Sequence, residues 1–279
     1  MPPMPPRPSV WPRRWRGWGE PPLVTLALAT VKPAGDGPGE PEIFAALQGE
    51  GASAGRPCVF VRLSRCNLAC EWCDTAYTWR FEGDNRPHRD GVDFARAANQ
   101  VTLEEADVAQ RIAALGASMP FPRLVITGGE PLLQAPALVR MLDHLEALAG
   151  FYVEVETNGT VAPPEAIAHR VHQFNVSPKL AHSGNARDLA IRPEALAAFV
   201  ASGRAWFKFV IASPDDIAEV AALAEAHHLP APRILLMPEG RDSETLRTRM
   251  AWLARECLAH GYGLSDRLHI HLSGDTRGT

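Results

Sequence analysis

The sequence contains no apolar run approaching the ~18 residues that a membrane-spanning helix needs, so no membrane association is expected. It has no basic excess: 28 Lys and Arg stand against 32 Asp and Glu, for a formal net charge of −4. A generic nucleic-acid binder is usually basic, so no nucleic-acid partner is expected. Cysteine is scarce, with five in 279 residues, which excludes a disulfide scaffold. No internal repeat is visible, and no apolar h-region marks a Sec-type signal; a cytoplasmic protein is expected. What is there is ordinary globular composition, 46% hydrophobic and 22% charged, on a chain long enough to bury a sizeable core.

Residues 1–41 differ from the rest. They hold 11 of the 25 prolines, Trp11, Trp15 and Trp18, the arginines Arg7, Arg13, Arg14 and Arg16, and no acid before Glu20. This reads as a disordered leader, or as upstream sequence included by start-codon choice; an arm docking on a partner is the alternative. The catalytic domain is expected over 42–279.

From residue 42, short β-branched runs alternate with longer amphipathic stretches. Strands are expected at Cys58–Leu63, Arg123–Thr127, Phe151–Glu156, His172–Val176, Trp206–Ile211, Arg233–Met237 and Leu268–Leu272. Helices are expected at Leu103–Leu115, capped from Thr102, and at Ala135–Ala149, Pro193–Ser202, Pro214–His227 and Ser243–His260. Strands separated by such helices imply parallel βαβ units, an α/β open sheet or barrel. In a parallel barrel the chemistry sits where strands end. Cys66, Gly128-Gly129-Glu130, Thr157-Asn158-Gly159, Ser177-Pro178-Lys179 and Pro238-Glu239-Gly240 all follow expected strands.

Cys66, Cys70 and Cys73 form C-x3-C-x2-C. Structural zinc normally needs four protein ligands, and a fourth is not obvious: Cys58 lies in an apolar strand and Cys257 in a helix. Three thiolates on one loop suit three irons of a 4Fe–4S cluster, leaving the fourth iron open. Zinc remains the alternative.

This triplet, followed by Gly128-Gly129-Glu130-Pro131, resembles the radical S-adenosylmethionine (SAM) enzymes. That resemblance implies a modified partial (β/α) barrel of mostly parallel strands. It also implies that SAM chelates the open iron and that an electron from the cluster releases a 5′-deoxyadenosyl radical. GGEP would let the backbone approach the methionyl group. Glu42-Ile43-Phe44 with Leu47-Gln48-Gly49-Glu50-Gly51, the Cys73-Asp74-Thr75 ending and Ser177-Pro178-Lys179 narrow the resemblance. Together they are similar to the 7-carboxy-7-deazaguanine synthases of the 7-deazapurine (queuosine-type) pathway.

That family's activity would be a lyase reaction, 6-carboxy-5,6,7,8-tetrahydropterin to 7-carboxy-7-deazaguanine with loss of ammonia, with SAM and Mg2+. By resemblance, Leu47, Gln48 and Gly49 hold the pterin edge through backbone groups, Arg62 pairs with its carboxylate, and Thr127 lies against it. Trp72, Cys73, Asp74, Gly129, Ser177, Pro178 and Lys179 line SAM, and Thr75 supplies a hydroxyl to Mg2+. Glu50 is matched to the guanidine-like pterin edge. Met237, Pro238 and Glu239 are placed near SAM by position. No side chain is assigned as catalytic, because the SAM radical carries the chemistry. A homodimer served by a flavodoxin or ferredoxin is expected. A radical SAM activase of a partner protein shares the triplet and the glycine loop, but has no use for LQGEG and Arg62.

Residues read from pattern alone are left more open. Glu154 and Glu156 share one face, interior or outer. His269 and His271 share a face of the last expected strand and are taken as structural. Residues 80–101 read as a mobile flap, and no role is assigned to Thr279.

Overall fold

The computed structural model describes residues 25–31 and 39–278. Its strands are β1 (Thr25–Ala29), β2 (Ile43–Leu47), β3 (Pro57–Leu63), β4 (Gln100–Glu104), β5 (Arg123–Gly128), β6 (Tyr152–Thr157), β7 (Gln173–Val176), β8 (Ala205–Ile211), β9 (Ile234–Pro238) and β10 (Gly263–Leu264). The helices are α1 (Arg96–Asn99), α2 (Glu105–Gly116), α3 (Ala135–Leu148), α4 (Glu165–Ala168), α5 (Arg187–Ala190), α6 (Pro193–Ala201), α7 (Asp215–Ala226), α8 (Ser243–His260) and α9 (Leu268–Ser273). None of them is long and apolar enough to cross a membrane.

The strands form one sheet in the order β10-β9-β8-β7-β6-β5-β3-β1-β4, with β2 added to β3. From β3 through β10 each neighbouring pair is parallel. Parallel pairing needs long crossovers, which the helices supply. Residues alternate between two faces of a strand. On β3, Val59, Val61 and Leu63 join the main core, where β5 and helices α2 and α3 add Leu124, Ile126, Ile112, Leu138 and Met141. Cys58 and Phe60 face the other way and pack with Val125, Phe44 and Ala46. On that second face, Phe44, Phe60, Thr127, Glu156, Asn175, Lys208 and Met237, one from each of seven strands, line a single cavity of about 410 Å3. A sheet can present all of them to one space only by curving round it, so the architecture is a partial barrel.

Six of the seven expected strands and all five expected helices appear, within two residues at each boundary. Four expectations are corrected. First, the domain does not begin at residue 42. Thr25–Ala29, inside the expected leader, is β1, with Leu26 and Leu28 fully buried between β3 and β4. Residues 1–24 and 32–38 of that leader lie outside the described residues. Second, Thr102 is not a helix cap. β1 offers an edge, Gln100–Glu104 pairs with it, and the helix starts at Glu105. Third, Leu268–Leu272 is helix α9, because β10 already occupies the edge beside β9. At 100° per residue, His269 and His271 cannot share a face. Fourth, residues 80–101 do not stand off as a flap. Phe81 is 6% exposed, bridges to Phe94 and lies under the Arg96 guanidinium at 4.2 Å.

Candidate active site

The cavity opens at the C-terminal ends of the parallel strands. Its wall carries Leu47, Gln48, Gly49, Glu50, Arg62, Cys66, Cys70, Trp72, Cys73, Asp74, Thr75, Thr127, Gly129, Ser177 and Lys179. Met237, Pro238 and Glu239 line it too. Of the residues expected to meet a ligand, Pro178 is buried behind the wall rather than on it.

The cysteine loop leaves β3 and is docked by the glycine loop that leaves β5. The Gly129 amide donates to Leu63 O at 3.1 Å and the Glu130 amide to Arg65 O at 2.9 Å. A Cβ on Gly128, at φ +138°, would lie 2.0 Å from Leu63 O, and one on Gly129 would lie 2.1 Å from Arg65 O. The room these glycines leave is therefore filled by the backbone leading into Cys66. Gly128 and Gly129 also line the cavity.

Glu130 is fully buried and accepts from Thr157 Oγ1, the Asn158 amide and the Leu132 amide at 2.8–3.0 Å. Burial pushes its carboxyl up to about 7, against the pull of those donors. Unfolded, the group titrates near 4.5. The folded chain thus holds more protons between the two values, and stability falls as pH rises from about 4.5 through about 7. Glu130→Gln should flatten that fall. Urea midpoints of the apoprotein between pH 4.5 and 8 check this, and an unchanged slope would exclude Glu130 as its source.

The three thiols are unpaired. Burial raises Cys66 to about 12, Cys70 to about 11, and Cys73 in the same direction, with Cys70 and Cys73 adding to the shift of Cys66 and Cys73 to that of Cys70. Among the described residues no three His, Cys, Asp or Glu side chains converge closely enough to hold one ion. Three thiols carried on one loop suit a cluster, whose thiolates sit on separate irons. Cys58 is fully buried with its thiol on Ala46 O, and Cys257 bonds Gly263 O, so neither serves as a fourth ligand. Beside the loop, Lys179 Nζ lies 5.4 Å from the Trp72 ring centre and donates to Ser177 Oγ. The Trp72 Nε1 hydrogen is buried without a partner among the described residues, a donor that suits a ligand rich in acceptors.

The barrel interior holds a second polar set. Arg62 Nε donates to the buried Glu42 at 2.8 Å, and Tyr77 Oη donates to the same carboxylate. Glu42 outweighs burial and raises the Arg62 pKa, so the guanidinium stays charged. Glu156 accepts from Gln48 Nε2 at 3.0 Å and Thr127 Oγ1 at 2.8 Å. Glu154 and Glu156 both face inward: Glu154 is fully buried on Arg123, Gln173 and Asn175. The Gln48 backbone is already occupied, its N–H on Arg56 O and its C=O on the Gly55 amide. Its side chain, not its backbone, is what it presents.

Two residues here, Lys208 and Arg267, carried no expectation, and a third, His269, is expected to be only structural. Lys208 is paired with Glu50, and Arg267 bridges Glu50 and Asp74. Burial pushes the Glu50 carboxyl up, but Lys208, Arg267 and His269 outweigh it and hold it well below the usual range. His269 lines the cavity 3.9 Å from Glu50, and burial lowers its pKa. A signal for Lys208 existed: the chain has only Lys32, Lys179 and Lys208, and the last interrupts an apolar strand run.

A partial barrel with three thiols on the loop after its first parallel strand, docked by a double-glycine turn, defines a radical SAM enzyme. The chain matches the Radical SAM superfamily over residues 61–244. Curated relatives agree. A 7-carboxy-7-deazaguanine synthase of Pyrobaculum aerophilum is 35% identical over 238 residues, 85% of this chain and 95% of that protein. One of Rhodopirellula baltica is 34% identical over 251 residues, covering 85% and 87%. A crystal structure of QueE from Escherichia coli superposes with a TM-score of 0.58 at 26% identity, covering 87% of this chain and 95% of that one. The chain belongs to the 7-carboxy-7-deazaguanine synthases, radical SAM lyases of queuosine biosynthesis. Its cofactors are a 4Fe–4S cluster and SAM, and it acts on a small molecule with an electron supplied from outside.

Proposed function

We propose that the chain converts 6-carboxy-5,6,7,8-tetrahydropterin to 7-carboxy-7-deazaguanine with loss of ammonia. The observation that carries this reading is that one cavity joins the Cys66, Cys70 and Cys73 loop to the Arg62, Gln48, Thr127 and Glu156 set. When bound, the cluster and SAM supply a carbon radical able to remove a hydrogen atom from the substrate. The protein's part is placement. Arg62 uses Nε on Glu42, which orients its fork towards a substrate carboxylate. Glu156, oriented by Gln48 and Thr127, accepts N–H groups of the pterin edge, as does Glu50, while Leu47 and Gly49 bound the pocket. Trp72, Asp74, Gly129, Ser177 and Lys179 surround SAM, with Pro178 setting the turn behind them. The protein works as a cytoplasmic homodimer, reduced by a flavodoxin or ferredoxin. An anaerobic assay with the carboxytetrahydropterin, following the deazaguanine by mass, tests the reading. SAM cleavage without that product would overturn it in favour of another substrate.

Mg2+ is the third part of this reading. Thr75 Oγ1 lies on the cavity wall, 3.6 Å from Cys73 Sγ. It caps no helix with its side chain, which removes its simplest structural task. A hard ion would take this hydroxyl together with substrate oxygens and waters, orienting the ring and offsetting developing charge. Thr75→Ala should lower product formation and shift its Mg2+ titration at unchanged iron content. An unaltered titration would remove the ion from this residue.

A further inference from the structure

Two asparagines from distant loops reach the cysteine sulfurs. Asn185 lies in the loop after β7. Its Oδ1 accepts the Ala69 amide at 2.9 Å, which fixes which end of the side-chain amide is nitrogen. The Nδ2 end therefore faces Cys70 Sγ at 3.3 Å and Ser183 Oγ at 3.1 Å. Asn158, in the loop after β6, is fixed in the same way. Its Oδ1 accepts from the Thr160 amide and hydroxyl at 2.9 and 2.6 Å, so its Nδ2 points at Asn67 Oδ1, 2.9 Å, and Cys66 Sγ, 3.8 Å. A neutral thiol is a weak acceptor. These donors match thiolates, the form that iron binds.

We propose that Asn185, and more weakly Asn158, are positioning residues that set the reduction potential of the cluster through N–H···S hydrogen bonds to Cys70 and Cys66. Reduction takes the cluster from the 2+ to the 1+ state by one electron from an outside one-electron donor, with no proton transferred. The added negative charge falls partly on the thiolates. An N–H aimed at sulfur stabilises the reduced form more than the oxidised one, and such bonds are among the determinants of cluster potentials. The shorter contact makes Asn185 the stronger donor. The inference needs the cluster but not the identity of the substrate, so its failure would leave the lyase reading intact.

Asn185 also clamps the loop, so iron content and potential must be read separately. Asn185→Asp keeps the Oδ1 acceptor for Ala69 and the side-chain shape, but replaces the N–H with a charged oxygen. The reconstituted variant should hold about four irons per chain. At a fixed dithionite poise, its ratio of reduced to oxidised cluster by EPR should fall at least tenfold, which is about 59 mV for one electron. Asn158→Asp should give a smaller fall, about threefold. Wild-type protein labelled with 15N-asparagine should show a nitrogen coupling to the reduced cluster in pulsed EPR, a measurement that needs no variant. Iron-replete variants with wild-type potentials would overturn the proposal. If Asn185→Asp fails to load iron, the labelled wild type decides, and an absent asparagine coupling overturns it.

Discussion

Cys70→Ala should abolish SAM cleavage and leave no intact cluster. Each thiolate of a three-cysteine site holds its own iron, and no other thiol is in reach. Cys58 is sealed in β3, and Cys257 sits on α8 with its sulfur on Gly263 O. The loop should stay folded in the variant, because the Glu71 amide donates to Ser183 O and the Ala69 amide to Asn185. The loss is therefore one of a ligand, not of the fold. Cys66→Ala and Cys73→Ala should behave alike, while Cys58→Ala and Cys257→Ala keep the cluster. Iron analysis, visible absorbance after anaerobic reconstitution and formation of 5′-deoxyadenosine check each variant. Full iron content in Cys70→Ala would contradict the ligand assignment.

Arg62→Ala should weaken binding of the carboxylated pterin about ten- to a hundredfold while SAM still binds. A charge-assisted hydrogen bond contributes roughly 1.5–3 kcal/mol, and about 1.4 kcal/mol is a factor of ten. The structure adds a second consequence. Removing Arg62 leaves Glu42 fully buried with Tyr77 as its remaining side-chain partner, so the variant should also be less stable. Glu42→Gln separates the two effects. It removes the buried charge but keeps Arg62, and should retain most of the substrate affinity. Calorimetric titration with substrate and with SAM reads both variants. If Arg62→Ala binds the pterin normally and loses SAM, the assignment of this side chain fails.

The parallel strands were readable because they are covered on both faces, which produces continuous apolar runs such as Val59–Val61 and Leu124–Ile126. The cysteine loop was readable because its three thiols stand close together in the sequence, and all three lie on the cavity wall. β1 was hidden: Thr25–Ala29 is a short alanine- and leucine-rich run amid prolines, and only its pairing with β3 and β4 makes it a strand. The error at Thr102 followed, since β4 exists only where β1 does. Leu268–Leu272 alternates like a strand, and tertiary contacts decided otherwise. Arg267, pinned between Glu50 and Asp74, fixes the start of α9 instead. Asn185 lies 115 residues from Cys70, and no local pattern announces a contact of that range. Lys208 differs, because a lone lysine inside Trp206–Ile211 has to find an anion in the interior, and Glu50 is that anion.

The position of β1 bears on how the chain can be shortened. The recognisable motifs begin at Glu42, and a protein trimmed to that point would look complete by motif content. It would lack the strand that joins β4 to the sheet, since β4 has no other neighbour there among the described residues. The seats of Leu26 and Leu28, both fully buried, would open, at roughly 1.5–3 kcal/mol for each side chain. β4, all five residues of which pair with β1, would be left as an open edge, a template for pairing with another chain. A trimmed protein of this kind would be recovered as aggregate with every cluster ligand present.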